Sequence, residues 1–147
     1  MMTIRRLDLA DARFLVDAAV EKATEMGVPQ CIAAADESGT LIAFERMDGG
    51  KVSSVSIAVD KAFTAAVARN ATSFYGTASQ PGSPAWGINQ TNLGRFCVIG
   101  GGLPILVDGV VVGGIGVSSG TAAQDEEVAQ AAVDRFAAML DGEERGP

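Results

Sequence analysis

Two neighbouring carboxylates, Asp125 and Glu126, are the residues whose type and position best suit proton transfer in this sequence. They stand in the first turns of a predicted helix, near the hydroxyls of Ser118 and Thr121. A carboxylate in such a setting can serve as an acid or a base. Helix capping and stabilisation of the helix dipole are the simpler interpretation of the same residues. The sequence therefore marks a candidate catalytic cluster and leaves its role open.

Lys61 is a cation inside a helix predicted over residues 54–68, among several alanines. A lysine held near an apolar surface can pair with a carboxylate, bind an anionic ligand, or act as a base when its pKa falls. Extension of the ammonium into solvent along an apolar stem is the alternative. Arg46, Arg69 and Arg95 can each hold an acidic ligand, but no motif brings them together.

Histidine is absent from the sequence. This removes the usual general base, the commonest metal ligand and every Ser-His or Cys-His nucleophile system. Cys31 and Cys97 lie too far apart for a metal-binding spacing, and both sit in apolar runs that favour buried free thiols. No metal site is predicted.

The composition predicts one globular domain over residues 1–147, with 48% hydrophobic and 20% charged residues. A net charge of −7 repels phosphate backbones and anionic membrane surfaces, so neither nucleic acid nor membrane is an expected partner. No apolar run approaches the roughly 20 residues that cross a bilayer. Residues 1–9 lack the apolar segment of a signal peptide. A cytoplasmic location is therefore expected.

Hydrophobic spacing and turn residues predict an α+β fold with three main helices and five strands. Asp8 is expected to cap the first helix and Gly27 to end it. Thr121 and Gln124 form a predicted capping box for the last one. The predicted helices cover residues 8–26, 54–68 and 121–140, and the predicted strands cover residues 31–35, 41–44, 96–99, 103–107 and 110–117.

Residues 70–94 show no clear period and are longer than a connection within a compact domain normally is. This segment is therefore expected to be functional or part of an interface.

A glycine-rich tract over residues 113–120 precedes the last helix. It does not fit a dinucleotide-binding motif, because Ser119 replaces the last glycine and no strand follows the helix. Close packing against a neighbouring element is the preferred interpretation of the glycines. The helix start can hold an anion, but the carboxylates of Asp125, Glu126 and Glu127 oppose this.

An ordered set of motifs resembles the GlcG/HbpS-like family, which includes the C-terminal domain of PduO-type proteins. The resemblance covers approximately residues 7–140. It is carried by the helix around Lys61, by the Gly101-Gly102-Leu103-Pro104-Ile105 motif and by the Asp108-Gly109 hairpin. It continues through residues 112–118 and 124–126, and residues 36–49 match the first hairpin of the family.

The resemblance implies a five-stranded antiparallel sheet flanked by helices, in a profilin-like or PAS-like arrangement. It also implies a homo-oligomer, and for some members haem or a related tetrapyrrole as ligand. A pocket is expected among the best-matched positions, with Arg46 and Thr121 as further ligand contacts. Those positions are Lys61, Thr64, Gly101, Gly102, Gly116, Ser118, Asp125 and Glu126.

Three functions follow as hypotheses. The first is a protein that binds haem, a corrinoid or another cofactor-like small molecule. The second is a small catabolic enzyme, an isomerase, lyase or hydrolase acting on an organic acid or an aromatic-degradation intermediate, with Lys61, Asp125 and Glu126 in its site. The third is an assembly scaffold.

A haem iron in this histidine-free chain would need a sulfur or oxygen donor, or no protein axial ligand at all. The candidate donors are Met26, Met47, Tyr75 and Cys97.

Overall fold

Four α-helices and four strands make up the computed structural model, which describes residues 1–144; residues 145–147 of the predicted domain lie outside the described residues. In chain order the elements are α1 (Leu9–Met26), β1 (Cys31–Asp36), β2 (Leu41–Arg46), α2 (Ser54–Ala68), α3 (Thr72–Ala78), β3 (Gly102–Val107), β4 (Val110–Ser118) and α4 (Ala122–Glu144). The predicted α+β class is confirmed. Within residues 1–144, no helix combines the length and the apolar character needed to cross a membrane.

The strands form one antiparallel sheet in the order β2-β1-β4-β3, with helices on both faces. All six residues of β1 are buried because successive side chains point to opposite faces, and each face is covered. Ile32 and Ala34 belong to a core shared with α1 and α4. Ala33 and Ala35 belong to a smaller core shared with α2. The sheet is thus the middle layer of three.

The strand predicted over residues 96–99 is wrong, and the described sheet has four strands rather than the five that the resemblance implies. Two buried threonine side chains form hydrogen bonds with backbone groups of this segment that would otherwise bond to a neighbouring strand. Thr64 Oγ1 on α2 accepts from the Cys97 amide at 2.9 Å. Thr72 Oγ1 on α3 donates to the Ile99 carbonyl at 2.6 Å. The apolar run that suggested a strand is therefore an irregular segment tied to two helices.

Residues 70–94 contain α3 and two short 3₁₀ turns, Ile88–Gln90 and Asn92–Gly94. Elements of three to seven residues are too short to establish a hydrophobic period, so the sequence pattern did not reveal them. Trp86 and Leu93 in this segment are exposed.

The predicted helix caps are confirmed. Asp8 and Asp11 form a reciprocal capping box at the start of α1, and Gly27 ends the helix in the left-handed conformation with φ of 69°. At the start of α4, the backbone N–H of Gln124 donates to Thr121 Oγ1 at 3.2 Å. Gln124 Oε1 accepts from the Thr121 amide at 2.9 Å.

Close packing of α2 against β4 explains two glycines of the glycine-rich tract. A Cβ on Gly114 would lie 2.5 Å from the Ala62 carbonyl oxygen. A Cβ on Gly116 would collide with the backbone of Ala58 and Ala62. The prediction that these glycines allow a close approach is confirmed, and the small side chains of α2 complete the contact.

Asp36 holds the β1–β2 turn through its carboxylate. Its Oδ1 atom accepts from the Ser38 hydroxyl at 2.6 Å, the Ser38 amide at 2.9 Å and the Thr40 amide at 3.2 Å. Burial alone would raise the pKa of Asp36, but these hydrogen bonds and the charge of Arg6 lower it below its ordinary value. The ionised form therefore stabilises the folded state.

We expect Asp36→Asn to lower the free energy of unfolding by about 1–2 kcal/mol at pH 7. Because the folded-state pKa is lowered, this stabilisation is complete above the unfolded-state pKa of about 3.9 and is lost as pH falls through the folded-state pKa. Urea unfolding at decreasing pH measures the difference, with the exposed Asp48→Asn as control. A difference that stays constant into strong acid would contradict this account.

Candidate functional site

Lys61 and Asp125, 64 residues apart in the sequence, form a buried ion pair. Lys61 Nζ lies 3.0 Å from Asp125 Oδ2 and donates to the Val117 carbonyl at 2.8 Å. The side chains are 1% and 3% exposed, respectively. Of the alternatives that the sequence left open for Lys61, the structure shows pairing with a carboxylate. The pair joins α2 to the start of α4 across the end of β4.

The second oxygen of Asp125 is also satisfied. Its Oδ1 atom accepts from the Gly120 amide at 2.9 Å, and Gln30 Oε1 lies 3.1 Å from the same amide. The buried Gln30 Nε2 has no hydrogen-bond partner among the described residues. One oxygen of the Asp125 carboxylate thus pairs with the Lys61 ammonium, and the other accepts a hydrogen bond from the backbone of the turn before α4.

Gly101 and Gly102 close around the same lysine. Gly101 has φ of 125°, and a Cβ there would lie 2.8 Å from Lys61 Nζ and 2.5 Å from the Val117 carbonyl oxygen. A Cβ on Gly102 would lie 2.6 Å from the Lys61 carbonyl oxygen. A side chain at Gly101 would displace the ion pair, and one at Gly102 would meet the backbone of Lys61, which accounts for the two glycines at the start of β3.

The other predicted site residues lie in different surroundings. Ser118 is buried at the end of β4, whereas Thr121 is exposed in its capping box. Glu126 is half-buried and accepts from the Ser73 hydroxyl at 3.1 Å. Arg46 is exposed at the end of β2 and pairs in register with Cys31. Arg46, Thr121 and Glu126 make no ion pair or side-chain hydrogen bond with Lys61 within residues 1–144.

A half-open groove of about 280 Å³ lies beside the buried pair, between α2 and the segment that leads to β3. We call it the Cys97 groove. Its lining combines apolar side chains with one carboxylate, one guanidinium and one thiol. The lining residues are Ile57, Asp60, Asn89, Gly94, Arg95, Phe96, Cys97, Val98 and Ile99.

Arg95 is held at the rim of the Cys97 groove by two contacts. Its Nε atom donates to Asp60 Oδ1 at 3.2 Å, and its guanidinium carbon lies 4.0 Å from the centre of the Phe63 ring. Its terminal nitrogens have no partner among residues 1–144. A guanidinium placed in this way can pair with a carboxylate in a bidentate manner. No motif favoured Arg95 over Arg46 or Arg69, and only the fold selects it.

Cys97 is half-buried, so the prediction of a buried thiol is confirmed for Cys31 and wrong for Cys97. Burial raises the pKa of the Cys97 thiol, while a hydrogen bond to the Ile99 backbone and the charge of Lys61 lower it to a smaller extent. The thiol is therefore neutral at pH 7. Thr64, whose Oγ1 atom accepts from the Cys97 amide, fixes its backbone.

Of the four candidate iron donors, Cys97 is the one that lines the groove. Met47 Sδ instead accepts from the backbone N–H of Gln30 at 3.4 Å. Tyr75 packs edge-on against Phe96, with ring centres 4.8 Å apart. Met26 lies half-buried at the end of α1. Within residues 1–144, no group of three or more cysteine, aspartate or glutamate side chains is arranged to hold a metal ion.

Comparison with known proteins decides the family. A family model described as "Haem degrading protein HbpS-like" matches residues 7–134. The chain belongs to the HbpS-like family. The resemblance seen in the sequence motifs is thereby confirmed, since the matched region contains α1, the whole sheet, and Lys61 with Asp125.

Relatives of this HbpS-like chain share both sequence and fold. A 15.0 kDa protein of the dhaT-dhaS intergenic region of Citrobacter freundii is 38% identical over 136 residues, which cover 92% of this chain and 96% of that protein. The crystal structure of Klebsiella pneumoniae protein ORFY has a TM-score of 0.91 and 36% identity, covering 94% of this chain and 95% of that one. The PduOC:haem complex has a TM-score of 0.84 and 33% identity, covering 88% and 94%.

Proposed function

We propose that this HbpS-like chain is a small-molecule-binding protein that takes haem, or a similar carboxylate-bearing cofactor-like molecule, in the Cys97 groove. The observation that carries the proposal is the joint presence of Arg95, Cys97 and apolar side chains on one half-open surface. The similar PduOC structure is a haem complex, and the family description also refers to haem. Both support this class of ligand.

The residues of the groove fit one edge of a haem group. Ile57 and Ile99 offer apolar surface to a flat ring, Cys97 offers a sulfur donor to iron, and Arg95 can pair with a propionate. The volume of about 280 Å³ lies just below the roughly 300–1,000 Å³ of ligand pockets, so the rest of a macrocycle would extend beyond the groove. A bound haem would supply an iron centre whose potential depends on its axial ligand.

The chain's own contribution is to hold the donor residues in place. Thr64 fixes the backbone at Cys97, Asp60 and Phe63 orient the Arg95 guanidinium, and the Lys61–Asp125 pair supports the wall beneath them. All three supports come from α2 or from contacts with it. The groove is therefore built before any ligand arrives.

Burial of Lys61 and Asp125 favours this proposal over the enzyme alternative. A substrate cannot reach side chains that are 1% and 3% exposed, and the polar atoms of both already have partners within the protein. Glu126, half-buried beside Ser73, is the one member of the predicted catalytic set that retains access to solvent. The enzyme alternative thus depends on Glu126.

We expect a haemin titration of the purified chain to give a saturable Soret change at about one haemin per chain. Arg95→Gln is expected to weaken binding about tenfold, because one charge-assisted contact is lost. Cys97→Ser is expected to change the position of the Soret band, because the iron would lose its sulfur donor. Cys31→Ser, which alters the buried thiol outside the groove, serves as the matched control.

Two results would reject the proposal. One is an absorbance change no larger than that of an unrelated acidic protein. The other is a response that Cys31→Ser and Cys97→Ser alter equally. The enzyme alternative would be favoured instead if the chain turned over a small organic acid and the folded Glu126→Gln variant did not.

We also infer that the chain forms a homo-oligomer, as the resemblance implies. Trp86 and Leu93 are 67% and 99% exposed, and association would cover such large apolar side chains. Sedimentation at micromolar concentration tests this inference, and a monomer would contradict it.

A further inference from the structure

A second cavity, distinct from the Cys97 groove, lies where the N-terminal segment crosses the end of α2 and the β3–β4 hairpin. Its volume is about 530 Å³, nearly twice that of the Cys97 groove. We call it the N-terminal cavity, and we propose that it binds an amphipathic carboxylate, a molecule with one apolar tail and one carboxylate head. The residues that carry the proposal are Met2, Ile4, Arg5, Arg69, Leu106 and Val110.

Exposed apolar side chains are gathered around this cavity. Met2 and Ile4 are 89% and 60% exposed, and Leu106 and Val110 are each 51% exposed. Single exposed apolar residues are ordinary, but several around one concave surface mark a binding site. A volume within the roughly 300–1,000 Å³ range of ligand pockets suits a molecule of drug-like size. The apolar lining therefore selects a hydrocarbon tail.

The charges in the cavity lining favour a negatively charged head group. Arg5 is paired with Asp108 at 2.8 Å, and Glu37 accepts from Arg6 Nε at 2.7 Å. Arg69 has neither an ion pair nor a side-chain hydrogen bond within residues 1–144. The cavity thus holds one uncompensated positive charge, and the planar guanidinium matches a carboxylate.

The backbone of Arg69 has a conformation that is uncommon for a long side chain. This residue follows α2 in the left-handed conformation, with φ of 56° and ψ of 37°. Glycine or asparagine adopts that conformation with less strain, and a long side chain there is uncommon. The same conformation ends α2, so the helix end fixes the backbone of Arg69 at the wall of the cavity.

Isothermal titration calorimetry with decanoate, below its micelle concentration and on the full chain, tests the proposal. We expect saturable binding at one site, at least about tenfold tighter than hexanoate, because four further methylenes leave water. Arg69→Gln is expected to weaken decanoate binding about fivefold. The same variant should leave the weaker binding of uncharged decanol unchanged. Arg13→Gln, at an exposed arginine outside this cavity, is the matched control.

Further measurements distinguish carboxylate binding at this cavity from haem binding and from self-association. Cys97→Ser is expected to leave decanoate binding unchanged, so failure of the haem proposal would not affect this one. No heat of binding at either of two well-separated temperatures, or equal binding by Arg69→Gln and Arg13→Gln, would overturn the carboxylate site. The carboxylate site would also be overturned if the chain did not bind decanoate and formed a dimer that Val110→Asp dissociates. That result would show that a second copy of the chain covers the cavity.

Discussion

Asp125→Asn is expected to lower the free energy of unfolding by about 3–5 kcal/mol, because it leaves the Lys61 ammonium buried without its counter-charge. The substitution keeps the shape of the side chain, so cavity formation does not contribute. The remaining partner of Lys61 Nζ would be the neutral carbonyl of Val117 at 2.8 Å, with 1% of the lysine side chain exposed to water. Chemical denaturation followed by far-ultraviolet circular dichroism measures the loss.

The matched control is an exposed ion pair between two helices. Arg135 Nη1 on α4 lies 2.6 Å from Glu21 Oε2 on α1, with side chains that are 50% and 60% exposed. Glu21→Gln is expected to cost less than about 1 kcal/mol, because water already solvates both charges. If Asp125→Asn cost no more than this control, the buried pair would not be closed to water.

A double replacement separates the cost of an orphaned charge from the value of the pair itself. Lys61→Met combined with Asp125→Leu is expected to recover much of the stability lost by Asp125→Asn, since no buried charge remains. Haemin titration of this double variant then tests the supporting role of the pair. Weakened binding would agree with a pair that supports the groove wall, and unchanged binding would contradict that role.

Gly116→Ala is expected to lower the free energy of unfolding by about 3 kcal/mol, because the added methyl meets backbone rather than a movable side chain. A Cβ at this position would collide with the Ala58 carbonyl and the Ala62 amide of α2. The helix must then shift away from the sheet. Because α2 also carries Asp60 and Thr64, the same variant is expected to weaken binding in the Cys97 groove.

Gly142→Ala is the control with the opposite expected sign. Gly142 lies in α4, and a Cβ there would have no neighbour within 4 Å. Replacing a helical glycine by alanine stabilises by up to about 1 kcal/mol. A neutral Gly116→Ala would show that α2 can move from β4 at little cost, which would contradict the close packing described above.

Local chemistry in the sequence determined the features whose causes lie within a few residues. Asp8 and Gly27 set the limits of α1, and Thr121 with Gln124 sets the start of α4, because capping groups bond to neighbouring backbone. The Asp108-Gly109 hairpin was predicted for the same reason. Both residues adopt positive φ, 51° and 74°, as a tight β3–β4 turn requires.

Tertiary contacts decided the candidate site. Residues 96–99 have the composition of a strand, yet Thr64 and Thr72, more than 20 positions away, capture their backbone groups. The Lys61–Asp125 pair and the Cys97 groove likewise join residues from α2 to residues beyond α3. The sequence identified residue types that can do chemistry, but long-range packing alone determines which of them meet and which are closed to solvent.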